Sequence, residues 1–238
     1  PEKDDGKRFF TDWSTAATAD FVAMMAMAAR YFKPYDAAYA QKCLDAAENS
    51  YKLLRSSEEK RFQQGDFRTG GYQTNDSDDR LWAAAEMWET TGNPECLQDF
   101  ETLAKAAPQT FGRRSGPVPT SKIDENWDWG NVRNLGMFTY ILSQREGRDP
   151  NLVEQVRRDT LATADSLVAK AKRDVYGRPL AGVYYWGCNG TIARQVLNLQ
   201  VANKLSPNSE YVNASLDAVA HLFGRNYYNR SYVTGLGH

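Results

Sequence analysis

The chain has 238 residues, a formal net charge of −1, and charged residues at 25 % of its positions. That length allows one large domain or two small ones with a substantial core. A nearly neutral chain is not expected to bind nucleic acid or an anionic membrane surface, and no apolar run reaches the ~18 residues that cross a bilayer. The first residues lack the apolar core of a signal peptide. Three widely separated cysteines predict neither a disulfide framework nor a zinc knuckle.

The predicted elements are helices that alternate in character along the chain. The first, Ser14 to Phe32, is apolar on nearly every face, which is typical of a helix buried on several sides. The second, Asp36 to Arg55, has one apolar stripe at helical spacing and is predicted to lie outside the first. The remaining helices are expected from about Ser77 to Gly92, Pro94 to Lys105, Trp129 to Arg145, Pro150 to Lys172, Gly190 to Asn203 and Pro207 to Leu222.

An inner apolar helix followed by an outer amphipathic helix, repeated about four times, describes an all-α toroid or barrel of helical hairpins. An ordinary helical solenoid is the structural alternative, although no fixed sequence period supports a tetratricopeptide-like array. The loops before the third, fifth and seventh helices each precede an inner helix. We therefore expect these three loops on one rim, where irregular loops commonly carry function.

Three carboxylates, those of Asp76, Asp78 and Asp79, stand in a turn-rich segment at the start of the third helix. Acidic residues at this position cap unpaired N–H groups and interact favourably with the helix dipole. Capping needs only one such residue, however, and three acids within four positions repel one another. The alternative interpretation is a hard cation such as calcium, which takes six to eight oxygen ligands.

Five stretches of the chain resemble the catalytic module of glycoside hydrolase family 9, most closely the clostridial-type endoglucanases that carry an immunoglobulin-like domain before that module. The stretches are STAATADFVAMMAMAARYF, DSDDRLWAAAEMWETTGN, NWDWGNVRNLGMFTY, YYWGCNGTIARQVLNLQVAN and LFGRNYYNRSYVTGLG. They cover essentially the whole chain in order. The resemblance implies an (α/α)6 barrel, of which the predicted helices would be about eight of twelve, and inverting hydrolysis of internal β-1,4-glucosidic bonds of cellulose.

The resemblance also implies that the two catalytic carboxyl groups lie outside these residues. In the family, the general base belongs to an Asp-Ala-Gly-Asp motif before the STAATAD helix, and this motif is absent here. The Pro-His-x-Arg motif and the general-acid Glu follow the VTGLG segment, beyond His238. We therefore expect residues 1–238 to be the middle of a single catalytic domain, completed by its remaining N-terminal and C-terminal segments.

A calcium site is the cofactor that the resemblance implies. The family's metal-binding acids correspond to Asp78 and Asp79, followed by Asp128 in the loop before the fifth helix. Backbone carbonyls from Thr74 to Asp76 are expected to complete the shell of oxygens at about 2.3–2.6 Å. Such a site would fasten two neighbouring rim loops.

Substrate contacts are expected from the aromatic residues, which make up 12 % of the chain. Trp186 matches a family position where an indole packs against the glucan, and Tyr72 sits where a cleft tyrosine is common. Trp129 is a further candidate, with core and cleft left open for both it and Trp127. An aromatic ring covers the flat apolar face of a pyranose while polar groups bind its hydroxyls.

Two other functional classes remain as alternatives to an endo-β-1,4-glucanase. One is a carbohydrate-binding toroid without activity, and the other is an (α/α)6 glycosidase of another family. The family also implies a secreted protein acting on β-1,4-glucan, with no nucleic acid and no membrane as partners.

Overall fold

The computed structural model describes residues 12–63, 75–106, 120–180 and 185–236. These ranges contain eight α-helices and no strand; the only pairing of strand type among them is an isolated bridge between Asp128 and Asn131. None of these helices is both long and apolar enough to cross a bilayer. The helices are α1 (Thr15–Phe32), α2 (Ala37–Ser56), α3 (Ser77–Thr91), α4 (Pro94–Lys105), α5 (Arg133–Leu142), α6 (Pro150–Ala171), α7 (Cys188–Leu205) and α8 (Ser209–Leu222).

Local side-chain chemistry sets most of the helix boundaries. The hydroxyl of Ser14 accepts from the Ala17 N–H at 3.2 Å at the start of α1, and a carboxylate oxygen of Asp36 accepts from the Tyr39 N–H at 2.9 Å at the start of α2. Each satisfies an N–H that the first turn of a helix leaves unpaired. Gly92 ends α3 in a left-handed conformation (φ +72°), which glycine adopts without a steric penalty.

The odd-numbered helices form one row in which neighbours run parallel. The helices α1 and α3 are in contact, as are α3 and α5, and α5 and α7. Near the carboxyl ends of α1 and α3, Arg30 donates to Thr90 at 2.6 Å. At the opposite end, the carboxylate of Asp78 accepts from the Val132 N–H next to the start of α5, at 2.7 Å. The amino termini of α3, α5 and α7 therefore lie at the same end of the row, and we call this end the rim.

The even-numbered helices pack on the outside of this row and close two apolar clusters. The larger cluster is formed mainly by side chains of α1 to α6. In it the ring of Tyr140 stacks on Phe100, with centroids 4.6 Å apart, and its centroid lies 5.8 Å from that of Trp88. The smaller cluster is formed by α6, α7 and α8 around Leu167, Leu199 and the buried ring of Tyr211. Alternating inner and outer helices are what the sequence pattern predicts for a toroid or barrel of helical hairpins, and they agree with part of the (α/α)6 barrel that the resemblance implies.

The largest difference from the expected boundaries is at α5, which begins at Arg133 rather than at Trp129. Asp128 explains the delay. Its carboxylate accepts from the Gly130 N–H at 2.9 Å, and its carbonyl accepts from the Asn131 N–H at 3.0 Å. Residues 128–131 are therefore held in a turn, and the helix starts only after it.

Candidate functional site

The rim brings the start of α3 against the loop before α5. Asp78 is buried, and its carboxylate accepts from the Val132 N–H, so it caps the neighbouring helix α5 rather than α3. Removal from water raises the pKa of Asp78, while the bond from Val132 acts in the opposite direction. Two of the three rim loops predicted from the sequence thus touch through a single buried carboxylate.

Asp79 lies beside Asp20 of α1, which the sequence had not singled out. Burial raises the pKa of both carboxyl groups, and for Asp79 the neighbouring charges of Asp78 and Asp20 raise it further. One oxygen of each, Oδ1 of Asp20 and Oδ2 of Asp79, is buried without a hydrogen-bond partner among the described residues. Two interacting buried carboxyl groups of this kind require a proton or a cation, because a buried unpaired charge is strongly destabilising.

Arg133 supplies positive charge next to these acids. The guanidinium is buried, donates to the Ala104 carbonyl at the end of α4 at 2.7 Å, and is attracted by Asp78. Burial nevertheless lowers the pKa of Arg133 to about 10, and its Nε has no hydrogen-bond partner in the part of the chain that the structure describes. The group of three carboxyl groups therefore has one buried arginine beside it, which interacts with Asp78.

The remaining predicted metal ligands have partners within the protein. Asp76 pairs with Arg80 at 2.7 Å, and one oxygen of Asp128 accepts from Gly130. Thr74 lies outside the described residues. Within residues 12–63, 75–106, 120–180 and 185–236, no group of three or more His, Cys, Asp and Glu side chains has the spacing of a metal site.

The predicted substrate-contact residues are exposed where the structure describes them. The side chain of Trp186, just before α7, is 91 % exposed, and that of Trp129 is 55 % exposed. Trp127 is buried at 5 % exposure, which answers the question that the sequence left open for that residue. Tyr72 lies outside the described residues.

Side chains of α7 hold the loop before α5 in place. Nε of Arg194 donates to the Trp127 carbonyl at 2.9 Å, and the amide of Gln195 donates to the Glu125 carbonyl at 2.6 Å. Glu125 in turn pairs with Lys170 of α6. The loop that carries Trp129 is therefore fastened on both sides, to α3 through Asp78 and to α7 through Arg194 and Gln195.

Sequence reasoning missed three residues of the rim: Asp20, Arg133 and Arg194. Asp20 is the only acid within the apolar run from Ser14 to Phe32, and that isolation is a usable signal for a buried charge. Arg133 and Arg194 sit one to two turns into predicted inner helices, where a charged residue needs a partner. The sequence does not say which partner, because the contacts join segments far apart in the chain.

The inner helices run parallel, and polar loops gather at one end of them. The chain is therefore a helical protein whose candidate site is built from loops. A family model described as "Glycosyl hydrolase family 9" matches residues 1–238. The chain belongs to this family. It is 56 % identical over 239 residues to Endoglucanase D of Acetivibrio thermocellus, covering 100 % of this chain and 36 % of that protein. It is 29 % identical over 253 residues to a cellulose 1,4-beta-cellobiosidase of the same organism, covering 28 % of it.

Solved structures give the same result. A metagenome-derived glycoside hydrolase family 9 endoglucanase superimposes with a TM-score of 0.82 at 33 % identity, over 100 % of this chain and 42 % of that one. The AaCel9A complex with cellobiose-like isofagomine superimposes with a TM-score of 0.83 at 27 % identity, over 100 % of this chain and 43 % of that one. The chain thus spans between about a quarter and under half of the length of these relatives.

Proposed function

We propose that this chain forms the scaffold and part of the substrate cleft of an inverting endo-β-1,4-glucanase that acts on cellulose. The observation that carries the proposal is the exposure of Trp186 and Trp129 on the rim. Hydrogen bonds to Asp78 and Arg194 fix the loop that carries Trp129, and a bond from the Cys188 N–H to the Tyr185 carbonyl closes a turn at Trp186. Exposed indoles are otherwise unfavourable in water, and a fixed pair of them can cover the apolar faces of successive glucose rings. The names of the relatives support β-1,4-glucan as the polymer. A polymer of this kind cannot enter a cell, so we also propose that the enzyme works outside it.

The test compares two exposed aromatic residues at opposite ends of the inner row, in the longer catalytic module that contains this chain. Trp186→Ala removes an indole from the rim, whereas Tyr35→Ala removes an equally exposed ring (87 %) from the turn after α1, at the far end. We expect Trp186→Ala to weaken cellohexaose binding about tenfold, as loss of a buried aromatic contact does, and Tyr35→Ala to leave it unchanged. Proton NMR of the first-formed product anomer tests inversion.

A module that binds cellohexaose but releases no reducing ends from carboxymethyl-cellulose would support the non-catalytic binding toroid instead. Equal effects of the two substitutions would show that the rim aromatics do not contact the sugar. Retention at the anomeric carbon would contradict the inverting mechanism.

We propose in addition that the rim acids hold a calcium ion, with Asp78, Asp79 and Asp128 as ligands and Thr74 and Asp76 supplying carbonyls. The support is the buried oxygen of Asp79, which lies near the carboxyl groups of Asp78 and Asp20 and has no hydrogen-bond partner in the described part of the chain. An all-oxygen donor set suits a hard cation. When bound, the ion would neutralise the clustered acids and tie the start of α3 to the loop before α5.

Removal of calcium from the longer module with a chelator is expected to lower its melting temperature, because an ion that binds only the folded form stabilises it by mass action. Asp79→Asn and Asp128→Ala should each abolish that sensitivity. Asp45→Asn, on the exposed face of α2, is the control and should retain it. A melting temperature that does not respond to the chelator, in a module shown by metal analysis to have lost its ion, would contradict the proposal.

A further inference from the structure

The side chain of Arg194 joins the two aromatic segments of the rim. Its Nε donates to the Trp127 carbonyl at 2.9 Å, and its guanidinium carbon lies 6.0 Å from the centroid of the Trp127 ring. Its Nη2 donates to the Thr191 hydroxyl at 2.9 Å, and that hydroxyl is 2.6 Å from the hydroxyl of Tyr185. A continuous chain of polar contacts therefore runs from the Trp127–Trp129 segment to the Tyr185–Trp186 segment.

The position of Arg194 depends on Gly190, one turn earlier in α7. A Cβ added to Gly190 would lie 3.2 Å from Nη1 of Arg194, which is closer than nearly all such contacts. The backbone at Gly190 is not left-handed, so its conformation does not require glycine. Alanine is also the better helix former at such a position. A side chain at residue 190 would therefore require the Arg194 guanidinium to shift by a few tenths of an ångström.

We propose that Arg194 is a positioning residue that sets the relative placement of the two aromatic segments, and that Gly190 provides the room for it. The inference rests on the proposed function, because it assigns Arg194 to the same glucan-binding rim. The planar guanidinium can donate from Nε and Nη2 in two fixed directions at once, which a lysine ammonium on its flexible stem cannot reproduce. Arg194 acts through Trp129 and Trp186, and it is not assigned a contact with the sugar.

The first test follows the backbone and needs no substrate. In the longer module, Arg194→Met is expected to raise the hydrogen-exchange rate of peptides covering both 125–131 and 185–191 at least tenfold. Arg157→Met is the matched control, since Arg157 donates to the Leu205 carbonyl at the other end of α7. It should leave both peptides unchanged. Acceleration of only one segment, or of neither, would overturn the proposed connection.

The second test separates binding from chemistry. Arg194→Met is expected to raise KM for cellohexaose five- to tenfold while kcat changes less than twofold, and Arg194→Lys should not restore KM. Gly190→Val, which adds bulk where the guanidinium lies, should reproduce the rise in KM. In the Arg194→Met background the same valine should add nothing, because the side chain that it displaces is already gone.

The outcomes distinguish this inference from the function on which it rests. A wild-type module that neither binds nor hydrolyses β-1,4-glucan would refute the proposed function, while hydrogen exchange would still decide whether Arg194 connects the two segments. Full additivity of Gly190→Val and Arg194→Met in KM, or rescue by lysine, would overturn the positioning role. An unchanged KM in Arg194→Met would overturn it as well.

Discussion

At the scale of single residues, His221 is a buried imidazole whose charge state depends on folding. It lies near the end of α8 between the rings of Tyr176 and Tyr232, at centroid distances of 6.1 and 5.6 Å. Its Nδ1 has no hydrogen-bond partner in the described part of the chain. Burial lowers the pKa of His221, and the charge of Arg178 lowers it further, against a smaller opposing effect of Asp174.

A lowered pKa in the folded state makes stability depend on pH in a defined direction. Below the ordinary histidine pKa of 6.5 the unfolded chain takes up a proton that folded His221 resists. The free energy of unfolding is therefore expected to decrease as the pH falls below about 6.5, and to be unaffected by this residue above it. Thermal melts of the longer module from about pH 8 to pH 5 test this.

The control for that prediction is His221→Gln, which keeps a polar side chain of similar length without the titration. The difference in melting temperature, wild type minus variant, should shrink as the pH is lowered. A difference that stays constant across the range would show that His221 does not lose stability by protonation.

At the scale of helices, a buried ion pair fastens α1, α3 and α5 together. The carboxylate of Glu86, which is 2 % exposed, pairs with Arg30 of α1 and accepts from Trp82 at 3.1 Å and from Thr139 of α5 at 2.5 Å. Arg30 also donates to the Glu86 carbonyl at 3.1 Å. The buried carboxylate of Glu86 therefore has a cation and hydrogen-bond donors around it.

Arg30→Met is expected to lower the free energy of unfolding by about 3–5 kcal/mol, because it leaves the Glu86 charge buried without its partner. The double variant Arg30→Met/Glu86→Met should recover part of that loss, since the buried charge is removed as well. Arg55→Met, which breaks solvent-accessible pairs with Glu95 and Asp99, is the control and should lose about 0–1 kcal/mol. Urea denaturation of the longer module measures all three. Strict additivity in the double variant would contradict the explanation.

Close approach of α3 and α5 depends on Gly136. A Cβ at this position would overlap the Leu81 side chain and lie 3.1 Å from the Cα of Trp82. Helix propensity alone favours Gly136→Ala by about 1 kcal/mol, whereas forcing the two helices apart is destabilising by about 1–3 kcal/mol. We expect a net loss of stability in denaturant titration. A gain close to the propensity value would show that the helices are not in limiting contact.

The sequence predicted helices better than it predicted their contacts. Apolar periodicity and caps such as Ser14 and Asp36 are local signals, and the structure confirms the helices they predict. The turn at 128–131 was missed because the side chain of Asp128 competes with the helix for backbone N–H groups. Asp20 and Arg194 were missed for a different reason. Their partners are on segments far away in sequence, and no local pattern encodes which segments meet.

At the scale of the whole molecule, the first and last of the eight described helices leave apolar side chains in solvent. Phe21 and Met24 of α1 are exposed at one end of the row, and Leu216 and Phe223, on and directly after α8, at the other. Stable monomers seldom expose apolar patches of more than a few hundred Å². We expect further hairpins of an (α/α)6 barrel to cover these faces. We therefore expect the 238-residue chain to self-associate when produced alone.

Hydrolysis by residues 1–238 alone would require both catalytic carboxyl groups to lie within them. An inverting glycosidase needs a general acid and a general base about 6.5–9.5 Å apart on opposite sides of the bond. Among the described rim acids, Asp79 interacts with Asp20 and Asp78, and Asp76 is paired with Arg80. We therefore expect the separated pair to come from other segments of the catalytic module. Loss of a general acid or base lowers the rate about 10²–10⁴-fold.

The purified 238-residue chain is therefore expected to release no reducing ends from carboxymethyl-cellulose under conditions in which the longer module is active. Because self-association alone could suppress activity, the comparison needs a soluble variant such as Met24→Lys/Leu216→Lys, checked by circular dichroism and size-exclusion chromatography. Hydrolysis by this variant would place at least one catalytic carboxyl group within residues 1–238. Asp78→Asn and Asp79→Asn would then be the first substitutions to test, since these are the acids that the rim gathers around its aromatic loops.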